Sequence, residues 1–412
     1  MEIRSAIYCG LDGHQDSITA CLRRLGAAGQ VTKGLRSFGT TTGALLTLCD
    51  WLVEAGCTHV AMESTGQYGQ PVFQILEGHF AQVLVVNARH IKALPGRKTD
   101  MLDAEWIAQL LQHGLLRGSF IPPAPIRELR ECARYRTQVI RARADEANRI
   151  QKLLEAANLK LGSVASNVLG VSGRAMLAAL VRGETDPTAL AGLAKGRLRK
   201  KQDQLVAALT GRITPGQRAL LGQQLAHVEY LDRAIAELDA LIATQMAPYQ
   251  AEAARLQTTT GIDTRTAEAL IAELGVDMAV FPSDRHCASW VGLCPGNNES
   301  AGKRKTGKTR KGNKWLRSAL VAAAWAATHT RTYLGAQYHR LARRRGKKKA
   351  IVAVAHSLLV IAYHILKEGT VYRELGHDYF DKRDTVRLQR RLITRLESLG
   401  LRVTVEPLPQ AA

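Results

Sequence analysis

The hydrophobic pattern changes period along the chain, and the changes mark its organisation. In the first 115 residues, short apolar runs of strand length alternate with Gly- and Asp-bearing turns. "SAIYCGLD" (5–12) is a buried run ending in an acid, and "SITACLRR" (17–24) and "GLRSFGT" (34–40) predict two more strands of a meander. "TTGALLTLCDWLVEAG" (41–56) has helical periodicity and stops at Gly56. "THVAMEST" (58–65) predicts a strand ending at Glu63, "QYGQPVFQILEG" a short helix, "AQVLVVNA" (81–88) a buried strand, and "KTDMLDAEWIAQLL" (98–111) a helix. Strand-helix-strand units in series imply that the later strands pair in parallel.

"PPAP" (122–125) ends that region. From Ile126 to about Leu161 the pattern is long, helical and dense in charge, and 214–246 returns to the same period. Two long helices packed as a coiled-coil arm are the expectation, with dimer contacts as their use. Residues 162–215 read as Gly-rich breaks around the basic cluster "KGRLRKK" (195–201), with no placeable motif. Residues 250–370 read as mixed but mostly helical, and the tail after Asp381 as basic and weakly patterned. The domain reading is 1–125 (α/β), 126–250 (helical arm, possible insertion at 160–215), 251–380 (mainly α) and 381–412 (tail).

Charge changes the picture. Lys and Arg number 57 against 36 acids, a net charge of +21, which suits a polyanionic partner. No apolar run of about 18 residues is evident, so the expectation is a soluble cytoplasmic protein, with no membrane partner. The seven cysteines have no C-x-x-C pair, which argues against a disulfide framework or a zinc knuckle and for small buried apolar roles.

Against this basic background four acids stand out. Asp12 and Glu63 end strands that are expected to lie side by side, and strand carboxyl ends line one crevice in such sheets. Asp100 and Asp103 share a helix face three residues apart. The local alternative is that Asp100 caps the helix and Asp103 favours its positive first turn. If all four converge, they repel unless a hard cation joins them. One or two Mg²⁺ would relieve the repulsion and handle a phosphodiester.

In the second half, "LQTTTGIDTRTAEALIAELG" (256–275) reads as helix, tight turn and helix. It resembles a helix-hairpin-helix, except that Asp263 stands where a second glycine is usual. Ser300 lies in a Gly- and Asn-bearing loop and is followed by Lys303, Arg304, Lys305, Lys308, Arg310, Lys311 and Lys314. A loop serine is ordinarily a turn former. Cations around it would stabilise charge built up on phosphorus. Ser318 is a second hydroxyl and Glu299 a possible local base. Arg343, Arg344, Arg345, Lys347 and Lys348 form another phosphate-binding stripe, with a solvated face as the plain alternative. His356 and His364 read as helix residues rather than ligands. The tryptophans and tyrosines read as packing residues.

The ordered set Asp, Glu, Asp, Asp on this element order resembles the ribonuclease H-like fold of the RuvC junction resolvase. "GLDGHQDSITACL", "AMESTGQYGQPVFQIL", "GRKTDMLDAEWIAQLL" and the P-x-N-x-x-S-x-G-K block (295–303) resemble the signature blocks of the DEDD transposases, the insertion-sequence one-hundred-and-ten family. The resemblance implies a RuvC-like first domain and a transposase domain with a helix-hairpin-helix-like element. It implies Mg²⁺ on Asp12, Glu63, Asp100 and Asp103, and Ser300 as nucleophile in a covalent serine–DNA link. Donor and target DNA, a guide RNA encoded by the element, and a homodimer pairing into a homotetramer are its implied partners. The residues alone also leave open a junction nuclease that uses only carboxylates and water, and a non-catalytic nucleic-acid-binding protein.

Overall fold

The computed structural model describes residues 7–26, 30–64, 66, 68–88, 91, 103–296 and 298–406, with positions 298, 300, 304, 305 and 387 described by backbone alone. The chain divides into two compact units, residues 1–121 and 122–412.

The first unit runs β1 (Ile7–Gly13), β2 (Ser17–Leu25), β3 (Val31–Gly39), α1 (Thr42–Glu54), β4 (Cys57–Glu63), α2 (Gly69–Leu76), β5 (Gln82–Val86) and α3 (Asp103–Gln112). The sheet order is β3-β2-β1-β4-β5. β1 and β2, and β2 and β3, pair antiparallel; β4 joins β1 and β5 joins β4 in parallel. The predicted meander and parallel strands are therefore present. The third strand begins earlier than its apolar run, at Val31, because its exposed face is polar.

Alternation along the strands assigns the two faces. Cys9, Leu11, Ile18, Ala20, Leu22, Val60 and Met62 pack with Leu45, Leu48 and Leu52 of α1 and Val72 and Leu76 of α2. On the other face, Ala61 and Val86 meet Trp106, Ile107, Leu110 and Leu111 of α3. Cys21 meets Ala104 and Ala108. Gly10 makes this layer possible: a Cβ there would fall 2.1 Å from the Ala104 carbonyl oxygen and 2.4 Å from the Ala108 nitrogen.

In the second unit, α4 (Ala124–Ala156), α5 (Val171–Arg182), α6 (Gln202–Leu209) and α7 (Pro215–Met246) come first. The start of α7 is written in the sequence: Thr214 and Gln217 form a capping box, with Pro215 in the first turn. The two long helices pack antiparallel. Arg136 bonds Asp239, Arg143 bonds Asp232, and Glu146 faces His227, so residue numbers fall along α7 as they rise along α4.

Residues 162–215, read as breaks, are instead a compact helical tip across the ends of α4 and α7. Their own apolar core includes Leu161, Met176, Leu177, Leu190, Leu205 and Leu209 with Ile150, Leu154, Leu221 and Val228 of the long helices. The glycines there serve close packing. A Cβ on Gly173 would meet the Val168 carbonyl oxygen at 1.9 Å, and one on Gly211 the Ala157 carbonyl oxygen at 2.7 Å.

The unit continues with α8 (Gln250–Gln257), α9 (Thr264–Leu274), α10 (Asp284–Val291), a hairpin of β6 (Asn298–Ser300) and β7 (Lys303–Thr306), α11 (Lys314–Thr328), α12 (Tyr333–Arg345), α13 (Lys347–Glu368) and α14 (Thr385–Glu397). Contrary to the sequence reading, α13 is long and apolar enough, by length and composition, to cross a membrane. Its apolar positions are buried inside the unit, among them Val354, Leu358, Leu359 and Tyr363. It packs on α8, α10, α11 and α12, and the Tyr363 hydroxyl donates to the Phe281 carbonyl at 3.2 Å. The tail read as weakly patterned carries the regular helix α14, with Leu388, Leu392 and Leu396 recurring every four residues.

Replacing Gly10 by valine forces α3 off the sheet. The expected cost is about 1–3 kcal/mol, read as a lower urea midpoint with an unchanged slope.

Candidate active site and nucleic-acid interface

The sheet brings two of the predicted acids together. Gly10 pairs with Ala61 and Leu11 with Met62. Asp12 and Glu63 are each the next residue on these adjacent parallel strands. Both fall on the face of Gly10 and Ala61, which is the face α3 covers. The direction of α3 follows from its bonds. Its last residue, Gln112, accepts from Arg23 Nε at 3.0 Å, and Arg23 pairs with Tyr8 near the start of β1. Ala104 and Ala108 lie over Gly10. Asp103, the first residue of α3, therefore heads towards the end of β1 that carries Asp12.

Asp12 is largely buried, with Oδ2 3.4 Å from Nε2 of exposed His14. Glu105, two residues into α3, is engaged elsewhere by Lys33 and Arg23. Asp100 lies outside the described residues. Among the described residues, no three His, Cys, Asp or Glu side chains are close enough to hold a metal ion. The donor chemistry is nonetheless oxygen only, which suits a hard divalent cation and neither zinc nor a soft metal.

The serine block is a projecting hairpin. Ser300 pairs with Lys303 across Ala301 (φ 50°) and Gly302 (φ 73°). Positive φ at both central residues is a type I′ turn, and an alanine there carries strain. Two glycines close the neck below it. A Cβ on Gly312 would meet the Gly292 nitrogen at 2.4 Å, and Gly292 has φ 79°. Pro295 bridges Thr309, and Gly296 N donates to the Lys308 carbonyl at 2.8 Å. Of the predicted cations, Lys303, Lys308, Arg310, Lys311 and Lys314 are exposed, and Arg304 and Lys305 stand on β7. Asn297, in the same block, lies outside the described residues.

At the foot of this loop is a support that sequence reasoning missed. Asn313 caps α11, its Oδ1 accepting from Trp315 N and Leu316 N at 3.0 Å each, while its Nδ2 donates to Glu273. Glu273 is buried and takes both guanidinium arms of Arg134, at 2.7 and 2.8 Å. Arg130 also donates to the backbone carbonyls of Ala272 and Glu273. Burial pulls the Arg130 guanidinium down to about 10, Glu273 opposing the shift, so it stays charged at neutral pH. The one signal in the sequence was a glutamate at the apolar end of "AEALIAELG". Arg134, Arg141 and Lys314 surround the Trp315 ring at 5.8, 5.4 and 5.1 Å from its centre. Ser318 is exposed on α11 and lines a groove of about 310 Å³ with Arg134, Arg265 and Trp315.

The hairpin-like element is found as helix, turn and helix, but its turn is not free for phosphate. Gly261 (φ 92°) packs on α11, where a Cβ would lie 2.5 Å from the Ala323 carbonyl oxygen. Asp263 caps α9, accepting from Thr266 N at 2.8 Å. A carboxylate thus occupies the place a phosphate would take. Arg343, Arg344, Arg345, Lys347 and Lys348 are exposed at the corner between α12 and α13. Arg343 and Arg344 line a groove of about 590 Å³ with Arg340 and Arg391. His364 pairs with Glu368 at 2.8 Å, and burial lowers the pKa of His356. Five cysteines are buried, with Cys132 and Cys294 half-buried.

Two transposase family models match the chain. The DEDD transposase model covers residues 9–158, which includes nearly all of the sheet, α3 and the whole of α4. The transposase IS116/IS110/IS902 model covers residues 253–340, which includes α9, the serine hairpin and α11. A Pseudomonas aeruginosa protein named as a probable family 20 transposase is 27% identical over 323 residues, 76% of this chain and 85% of its own length. Pilin gene-inverting proteins of Moraxella bovis and Moraxella lacunata are each 28% identical over 130 residues, 31% of this chain and 40% of theirs. The fold and these matches define a DNA transposase, an enzyme that recombines DNA. The chain belongs to the IS110-type transposases, whose DEDD domain suggests use of a divalent metal.

Two outcomes test this geometry. Arg134→Ala removes the two-armed partner of the buried Glu273 carboxylate, leaving Arg130 at 3.4 Å and Asn313, and should cost about 1–3 kcal/mol of stability, seen in thermal and urea unfolding. Ala301→Val places a β-branched residue at positive φ and should destabilise the hairpin by about 1–3 kcal/mol, read as faster amide exchange at 298–306.

Proposed function

We propose that this transposase cuts and rejoins DNA through a transient covalent bond to Ser300, within a donor–target reaction guided by an RNA encoded by its element. The observation that carries the reading is the position of Ser300. It ends β6 at a two-residue turn, on a pinned loop whose cations run from Lys303 to Lys314. The hydroxyl oxygen attacks phosphorus, the P–O bond to one DNA hydroxyl breaks, and that hydroxyl takes up the proton. Attack by a second DNA hydroxyl on the phosphoserine reverses the step, frees the serine and leaves the number of phosphodiesters unchanged. Exposed lysines lower the cost of charge on the phosphoryl oxygens.

The first unit is read as ribonuclease H-like, supported by its strand order and by Asp12 and Glu63 at the ends of β1 and β4. Asp12, Glu63, Asp100 and Asp103 would hold Mg²⁺, which when bound supplies charge neutralisation at the scissile phosphate. Strand exchange needs several active sites at once, which supports a homodimer that pairs into a homotetramer on bacterial nucleoid DNA.

The test is recombination of donor and target DNA with RNA copied from the non-coding flank of the element. Ser300→Ala should lose recombination by about a thousand-fold or more, and it should lose the protein–DNA adduct that mass spectrometry maps to position 300 in the native chain. Asp12→Asn and chelation should each abolish the reaction, with Mg²⁺ restoring activity after chelation. Metal-dependent nicking at the native rate by Ser300→Ala would replace this reading with hydrolysis by carboxylates and water.

A further inference from the structure

Residues 159–252 fall outside both family matches, and the tip of the arm is the part of this segment with its own core. Its charges are unevenly committed. Between residues 157 and 213 there are nine Lys and Arg but only three acids. Asp186 is used as the cap of the helical turn Pro187–Gly192, accepting from Thr188 N and Ala189 N. Glu184 accepts the backbone amides of Thr185 and Asp186. Asp203 lies in the first turn of α6. Lys160 is paired with Glu155 and Arg174 with Asp232. The cations of the 3-10 turn Gly196–Lys201 have no such acid assigned among these pairs.

That turn is held rigidly. Lys195 N donates to the buried Ser172 hydroxyl at 2.9 Å, and Leu198 packs into the tip core. At the other end Lys201 Nζ reaches the Val164 carbonyl at 3.4 Å. Arg197, Arg199 and Lys200 are exposed between these anchors. In a 3-10 turn, residues three apart eclipse, so Arg197 and Lys200 form one outward column. A rigid backbone with outward cations loses little entropy on meeting a polyanion.

The class of the enzyme decides which polyanion, since transposases act on DNA, and the length of the arm sets the reach. From Arg134, beside Trp315, to Ala156 at the tip, α4 spans about 33 Å at 1.5 Å per residue. Duplex DNA rises about 3.4 Å per base pair, so this length equals about ten base pairs. We infer that the arm tip is a second phosphate-backbone contact for duplex DNA, within about one helical turn of the basic surface around Trp315 and Lys314. The tip then holds the duplex without reading its sequence, because backbone contacts carry position and not base identity. This goes beyond the serine reading and does not depend on it.

Binding by the full-length protein tests it without any catalysis. Labelled mixed-sequence duplexes from about 8 to about 32 base pairs are titrated between 50 and 200 mM salt, by anisotropy. The native chain should bind the long duplexes at least about ten-fold more tightly than the short ones, after correction for the number of overlapping sites. Arg197→Ala/Arg199→Ala/Lys200→Ala/Lys201→Ala should bind the shortest duplex as the native chain does. It should lose the gain with length, and its log–log salt slope on long duplexes should be shallower by about 3. A version with Arg197→Lys/Arg199→Lys should keep the gain, and a version with glutamine at the four sites should lose it at an unchanged melting temperature. A native length profile in both charge-removed versions overturns the proposal. So does loss of binding to a structured RNA hairpin with the DNA profile intact, which would assign the tip to RNA.

Discussion

The contact between the backbone of α3 and the sheet at Gly10 governs the first unit. With no Cβ at that position, the Ala104 carbonyl and the Ala108 nitrogen lie where a side chain would stand. Every later feature of that face follows from this closeness. Ile107, Leu110 and Leu111 reach Ala61 and Val86. Asp103 then enters the same layer as Asp12 and Glu63. A larger residue at position 10 would lift the helix and separate the acid on α3 from those on the strands.

The second unit solves a different problem, that of holding cations in place without neutralising them. Glu273 is buried and spends its charge on Arg134 while its oxygen also fixes Asn313. One carboxylate therefore ties α4 to α9 and to the start of α11. Beyond it, Lys303 on the serine hairpin and Lys308 and Lys311 on the loop that follows face solvent. The tip follows the same arrangement, with acids used as helix caps and cations left outward. A basic protein of this kind keeps its acids inside or at helix ends and presents the opposite charge to its substrate.

Much of this was legible in the sequence. Short apolar runs bounded by turn residues located β1, β2, β4 and β5, and the return of helical periodicity at position 214 marked α7 to within a residue. The acids at positions 12 and 63 could be placed because strand ends are marked by pattern. The tip was not legible, because its apolar positions make a face only when packed across the ends of α4 and α7. Gly173 and Gly211, which look like breaks, are sites of close backbone approach. Glu273 escaped notice because its partner Arg134 is 139 residues away in the chain. The turn at Gly261 misled in the other direction: its glycine serves α11 and its aspartate serves α9.

We propose that the Gly10 contact builds an oxygen-ligand site for a hard divalent cation on the first unit. Mn²⁺ binding to the full chain, followed by electron paramagnetic resonance, measures this most directly. The native chain should deplete the free Mn²⁺ signal, and Asp12→Asn and Gly10→Val should each weaken binding at least about ten-fold. Native affinity in both folded variants would contradict it.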